Sequence, residues 1–134
     1  MAHLLAVPFE DLSIHANERI VLDVNALFDK IVRARRGGFC YELNGLFGAL
    51  LQTLGFEVVM LSGGVMNPRG EFGPEYDHMA LLVTLGERWL VDVGFGDCFR
   101  EPLCLDERAE QIRPRLIHLS HSGRCVRLQR ETDG

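Results

Sequence analysis

The strongest constraint on the fold is residues 35–54, which read R-R-G-G-F-C-Y-E-L-N-G-L-F-G-A-L-L-Q-T-L. Leu43, Phe47, Leu50 and Leu54 recur at helical spacing, with Leu46 beside them. Gly55 stands where a helix C-terminal glycine belongs, and Gly37 and Gly38 end what precedes and allow a tight turn. Cys40 therefore falls in the first turn of a buried helix, on its inward face. Helix N-termini carry partial positive charge and unpaired N–H groups, both of which favour a thiolate over a thiol. A lone cysteine on an apolar face is also a common small core residue. Chemistry at Cys40 thus requires a histidine and a carboxylate from elsewhere in the chain.

A single domain suits 134 residues, and 47% apolar content supports a real core. The net charge of -5 offers no basic surface for nucleic acid. No apolar run is long enough to span a bilayer. The N-terminus lacks a basic leader and soon meets Pro8. Cys40, Cys98, Cys104 and Cys125 form no C-x-x-C pair, which speaks against zinc. Free thiols in a cytoplasmic protein are the expectation.

Residues 3–7 read as the end of a helix, and residues 8–12 as an extended loop with Phe9 and Leu12 buried. Glu10 is either buried against a cation or a solvated loop carboxylate. Asp23 is a good N-cap for a helix running to about Arg35, with Val24, Leu27, Phe28, Ile31 and Val32 as its apolar stripe. Asp29 and Arg33 can pair on its polar side. Residues 56–61 read as a strand, and residues 62–74, with four glycines and two prolines, as a loop. A hairpin follows, 79–85 and 88–93 around Gly86-Glu87, apolar on both faces and therefore central in its sheet. Residues 116–119 and 125–128 are short candidate strands around Ser122-Gly123. His118 and His121 read as surface residues of that weak hairpin.

His78 stands at the entrance of the central hairpin and Asp92 near its exit. Within an apolar strand Asp92 needs a donor, unless it caps the loop after the strand. Cys40, His78 and Asp92 form a candidate triad of nucleophile, base and orienting carboxylate. The Cys40 N–H is a candidate oxyanion donor. A helix-borne cysteine against a sheet-borne histidine is the papain-like arrangement of an α+β fold. The helical part is expected over 1–55, and an antiparallel sheet or partial β-barrel over 56–134. A two-residue turn would put His78 and Asp92 on opposite faces. The triad therefore requires an odd loop, such as Leu85-Gly86-Glu87, or a bulge. A bond from His78 Nδ1 to Asp92 is expected.

V-P-F-E-D-L at 7–12, R-G-G-F-C-Y-E-L-N at 36–44, H-M-A-L-L-V at 78–83 and D-V-G-F-G at 92–96 together resemble the arylamine N-acetyltransferases. Asp11 stands where family members usually carry asparagine. The resemblance implies that Cys40, His78 and Asp92 are catalytic, and that Cys40 takes an acetyl group from acetyl-CoA. The thioester then passes the acetyl group to the nitrogen of an arylamine, hydrazine or hydroxylamine in ping-pong fashion, with no metal. It implies substrate-binding roles for Phe9, Phe95 and Gly96, and a structural ion pair between Arg36 and Glu10. Residues 74–77 depart from the family pattern, so no CoA-binding residue is carried over. Family members are longer, and the resemblance implies a chain truncated at both ends. It would lack part of the barrel and the C-terminal lid domain, with an exposed barrel edge that favours self-association. Two other readings use the same residues. One is a cysteine hydrolase, a thioesterase or amidase, with water as acceptor. The other is a catalytically silent fragment acting as a binding module. CoA release without an amine marks the former, and inertness toward acetyl-CoA the latter.

Overall fold

The computed structural model describes residues 2–65, 67, 69–96, 101–106 and 126–130, the last five as backbone only. It is an α+β structure. Two short helices, α1 (Ala2–Ala6) and α2 (Leu12–His15), precede α3 (Val24–Phe28), which runs on as a π-helical turn, Asp29–Arg33. Helix α4 is Cys40–Thr53. The strands are β1 (Glu57–Val65), β2 (His78–Leu85), β3 (Glu87–Val91), β4 (Leu103–Cys104) and β5 (Val126–Arg130). They form one sheet in the order β4-β3-β2-β1-β5, with every adjacent pair antiparallel.

Asp23 caps α3 as expected, its Oδ1 accepting from the N–H groups of Asn25 (2.9 Å) and Ala26 (3.3 Å). The expected stripe is narrower than its pattern. Leu27 and Ile31 are buried, four residues apart, while Val24, Phe28 and Val32 are exposed. The π turn, with the Ala34 N–H bonded to the Asp29 carbonyl at 2.8 Å, changes the helical phase after Phe28. Asp29 and Arg33 do pair, at 2.9 Å.

In α4 the buried residues are Cys40, Glu42, Leu43, Asn44 and Gly48, whereas Leu50 and Leu54 are exposed. Gly55 takes φ +92°, the left-handed value that ends a helix. Gly37 and Gly38 serve differently from expectation: the positive φ of that turn falls on Arg35 (+52°). The glycines are needed for room, because residues 9 and 38 form a parallel β-bridge. A Cβ on Gly37 would run into the Pro8 carbonyl, and one on Gly38 would approach the Glu42 side chain.

The sheet has two apolar faces. On one, Leu81 and Met79 lie against Gly48 and Gly45 of α4, where the missing side chains let helix and strand approach. On the other, Leu61, Ala80, Leu90 and Leu105 form a buried cluster with Leu82, Leu103 and Phe95 packed on it. The hairpin β2–β3 is central, as its two-faced apolarity implied. Residues 62–65, expected in a loop, instead extend β1, with Gly63 opposite His78. Turn composition misleads there because glycine also suits close backbone approach: a Cβ on Gly64 would stand 2.6 Å from the Gly73 carbonyl oxygen. The expected strand 125–128 is matched by β5. The expected strand 116–119, the Ser122-Gly123 turn, Cys98, Cys125, His118 and His121 lie outside the described residues.

Candidate active site

The hairpin turn decides whether His78 and Asp92 can meet. Thr84 pairs with Arg88, Leu85 with Glu87 and Leu81 with Val91, so the loop is odd, as the triad requires, with Gly86 alone between the strands at φ +73°. Continuing that register by one residue sets Asp92 opposite Ala80, on the face His78 shares by alternation. The two side chains meet at 2.6 Å, His78 Nε2 to Asp92 Oδ2. This corrects the expected Nδ1 contact. The distal ring nitrogen reaches the neighbouring strand, and Nδ1, nearer the backbone, is left for another partner. Both residues are buried.

Cys40 opens α4, is buried, and interacts electrostatically with His78. Burial alone would lower the His78 pKa, but the hydrogen bond to Asp92, the interaction with Cys40 and their negative charge outweigh it and raise it to about 9. Its two neighbours thus favour the protonated ring. The ring of Phe95 meets His78 edge-on, with centroids 4.9 Å apart. Phe9 is half-exposed and stands over Gly96, where a Cβ would lie 3.5 Å from the Phe9 ring. Phe9, Phe95 and Gly96 thus lie on the His78 side of the site.

Two further loops are held beside the first turns of α4. Gly94 crosses α4 so closely that a Cβ there would stand 2.7 Å from Cys40 Cα and 2.8 Å from Asn44 Nδ2. This explains the first glycine of Gly94-Phe95-Gly96 by contact rather than by flexibility. The turn before His78 holds Tyr76 at φ +67°; its N–H donates to Ser62 Oγ (2.8 Å), and its carbonyl accepts from the Tyr41 hydroxyl (2.7 Å).

The Arg36–Glu10 pair forms at 3.0 Å, so Glu10 is held by a cation rather than solvated. Arg36 also donates to Ser13 Oγ at 3.0 Å. The more buried cation is one the sequence reading missed. Lys30 reaches both oxygens of Glu42 (2.8 and 2.7 Å) and lies 3.7 Å from Glu10. Glu42 in turn accepts from the Phe39 N–H at 3.2 Å, fixing the start of α4. Lys30 lies within the π turn, which has no local sequence signature.

Asn44 was also missed as a site residue, although its spacing carried a signal. It follows Cys40 by four residues and so shares the buried face, where an amide must find partners for all its polar atoms. Among the described residues no cluster of His, Cys, Asp or Glu could hold a metal ion, and no helix is long and apolar enough to cross a membrane.

A family model described as N-acetyltransferase matches residues 1–132. The arylamine N-acetyltransferase / N-hydroxyarylamine O-acetyltransferase of Salmonella typhimurium is 42% identical over 116 residues, covering 85% of this chain and 41% of that protein. A pineal gland arylamine N-acetyltransferase isozyme of Gallus gallus is 45% identical over 100 residues, covering 73% of this chain and 34% of its own. The solved structure of the Salmonella typhimurium arylamine N-acetyltransferase superposes with a TM-score of 0.81 at 33% identity, covering 98% of this chain and 56% of that one. The M. tuberculosis arylamine N-acetyltransferase structure gives 0.73 at 38% identity, over 78% and 41%. The chain spans less than half the length of these curated relatives.

Proposed function

Since the chain belongs to the arylamine N-acetyltransferase family, we propose that it carries an acetyl group from acetyl-CoA, through a thioester on Cys40, to the nitrogen of an arylamine, hydrazine or hydroxylamine. The observation that supports this most directly is the buried 2.6 Å contact of His78 with Asp92 beside a cysteine in the first turn of a helix. On this reading the fold is papain-like: residues 1–55 supply the nucleophile, and residues 56–134 the histidine and aspartate.

The Cys40 thiolate attacks the thioester carbonyl of acetyl-CoA, with His78 protonated and held by Asp92. The tetrahedral oxyanion faces the N-terminus of α4, where the Cys40 N–H is a candidate donor. Collapse breaks the bond to the CoA sulfur, which leaves with the His78 proton. The acceptor amine then attacks the acetyl-cysteine, His78 takes its proton, and Cys40 leaves as the thiolate. Asp92 never needs to accept the proton: its charge stabilises the imidazolium and fixes the ring. Phe9, Phe95 and Gly96 form the wall against which an aromatic acceptor stacks. Arg36 and Glu10 brace the loop before Cys40.

A thioester intermediate requires ping-pong kinetics. Initial rates with acetyl-CoA and an aromatic hydrazine are expected to give parallel double-reciprocal lines. Converging lines would contradict the covalent route. CoA release at the same rate without any amine would assign the chain to the hydrolases, and no turnover would leave it a binding module.

A further inference from the structure

Every polar atom of the Asn44 side chain is committed, and the residue is fully buried. Its Nδ2 donates to the Met79 carbonyl at 2.7 Å and to Asp92 Oδ1 at 2.9 Å, while its Oδ1 accepts from the Val93 N–H at 3.0 Å. Flipping the amide would set its oxygen against two acceptors and its NH₂ against a donor, so only one orientation is permitted. Asp92 Oδ1 also accepts from the Gly94 N–H at 2.8 Å. With Oδ1 held twice, Oδ2 is the oxygen that meets His78. Asn44 lies one helical turn beyond Cys40, so the same helix carries the sulfur and the group that orients the carboxylate.

We propose that Asn44 is the positioning residue that aims Asp92 at His78 and locks that pair to the helix bearing Cys40. A bland role is the alternative: two of its three partner residues are met through backbone atoms, as in a brace between α4 and the sheet. The bond to Asp92 separates the two roles, because a hydrogen bond to a carboxylate is about twice as strong as a neutral one and bears on the proton affinity of His78. The consequence for rate rests on the acyl-transfer reading; the consequence for His78 does not. The titratable groups facing His78 are Asp92, which follows β3, and Cys40 of α4.

The test compares Asn44→Ala and Asn44→Ser with the wild-type chain, following the His78 ring by NMR across pH and Cys40 acetylation in a single turnover. The variants should titrate His78 at lower pH than the wild-type chain does. They should form the acetyl-enzyme about 10- to 100-fold more slowly, with the acetyl-CoA KM changed less than about threefold. A folded variant with an unmoved His78 midpoint and a rate within about twofold of wild type would reduce Asn44 to a brace. Should neither variant fold, the wild-type protein decides: the Asn44 side-chain amide protons should titrate in step with His78, and flat resonances would overturn the proposal. A wild-type chain that takes no acetyl group counts against the acyl-transfer reading, while the titration result still stands or falls for Asn44.

Discussion

Cys40 and Cys104 are almost equally buried, 7% and 8% exposed, so a difference in their reactivity must come from what surrounds each sulfur. Cys104 donates to the Glu87 carboxylate at 3.5 Å, whereas Cys40 stands beside His78 at a helix N-terminus. Iodoacetamide at mildly acidic pH is expected to label Cys40 well before Cys104, and equal rates would count against a thiolate at Cys40. Asp92→Asn should lower turnover by up to about 10⁴-fold, on the serine-protease precedent. His78 also makes stability depend on pH. Its folded pKa of about 9 lies above the ordinary 6.5, so the folded state binds its proton more tightly than the unfolded chain. That contribution is present in full below pH 6.5 and is lost as pH rises through 9. Urea midpoints should therefore fall between pH 6.5 and 9, and His78→Gln should flatten that fall.

The elements that carry these residues are held by contacts of very different weight. Lys30 faces Glu42, which is 3% exposed, and Glu10, whereas the Arg36 side chain is 39% exposed. Removing one partner of a buried pair strands the other charge, at about 3–5 kcal/mol, while a half-exposed pair contributes about 1 kcal/mol or less. Lys30→Ala is therefore expected to destabilise the chain more than Arg36→Ala in denaturant titrations, although the family motif points at Arg36. The Gly94 crossing makes a similar point. Gly94→Ala places a methyl group 2.7 Å from Cys40 Cα and should cost about 1–3 kcal/mol as the loop or helix gives way. These weights were only partly legible in the sequence. Periodicity located α4 and the hairpin, and the need for His78 and Asp92 to share a face called for an odd loop or a bulge between them. The π turn that swings Lys30 inward has no local pattern, and the crowding at Gly94 is a long-range contact that spacing cannot express. The His78 nitrogen that meets Asp92 could not be read from spacing: it is the distal Nε2 that reaches across to the carboxylate.

Across the whole molecule, one end of α4 and one end of the β2–β3 hairpin converge, and the sequence motifs that resemble the family are those that meet there. The motif at 7–12 reaches the site through the bridge between Phe9 and Gly38, that at 36–44 through α4, and those at 78–83 and 92–96 through the hairpin. The order of motifs along the chain was legible; that they close on a single cysteine required the sheet register. A chain organised in this way should take up one acetyl group, at one atom, and give it up to an amine. The decisive measurement is intact-protein and peptide mass spectrometry after brief exposure to acetyl-CoA, repeated after addition of an aromatic hydrazine. A single acetyl adduct on Cys40 that disappears as acetyl-hydrazide forms is the expected result. Acetylation elsewhere, no adduct at all, or an adduct on Cys40 that the hydrazine cannot discharge would contradict it.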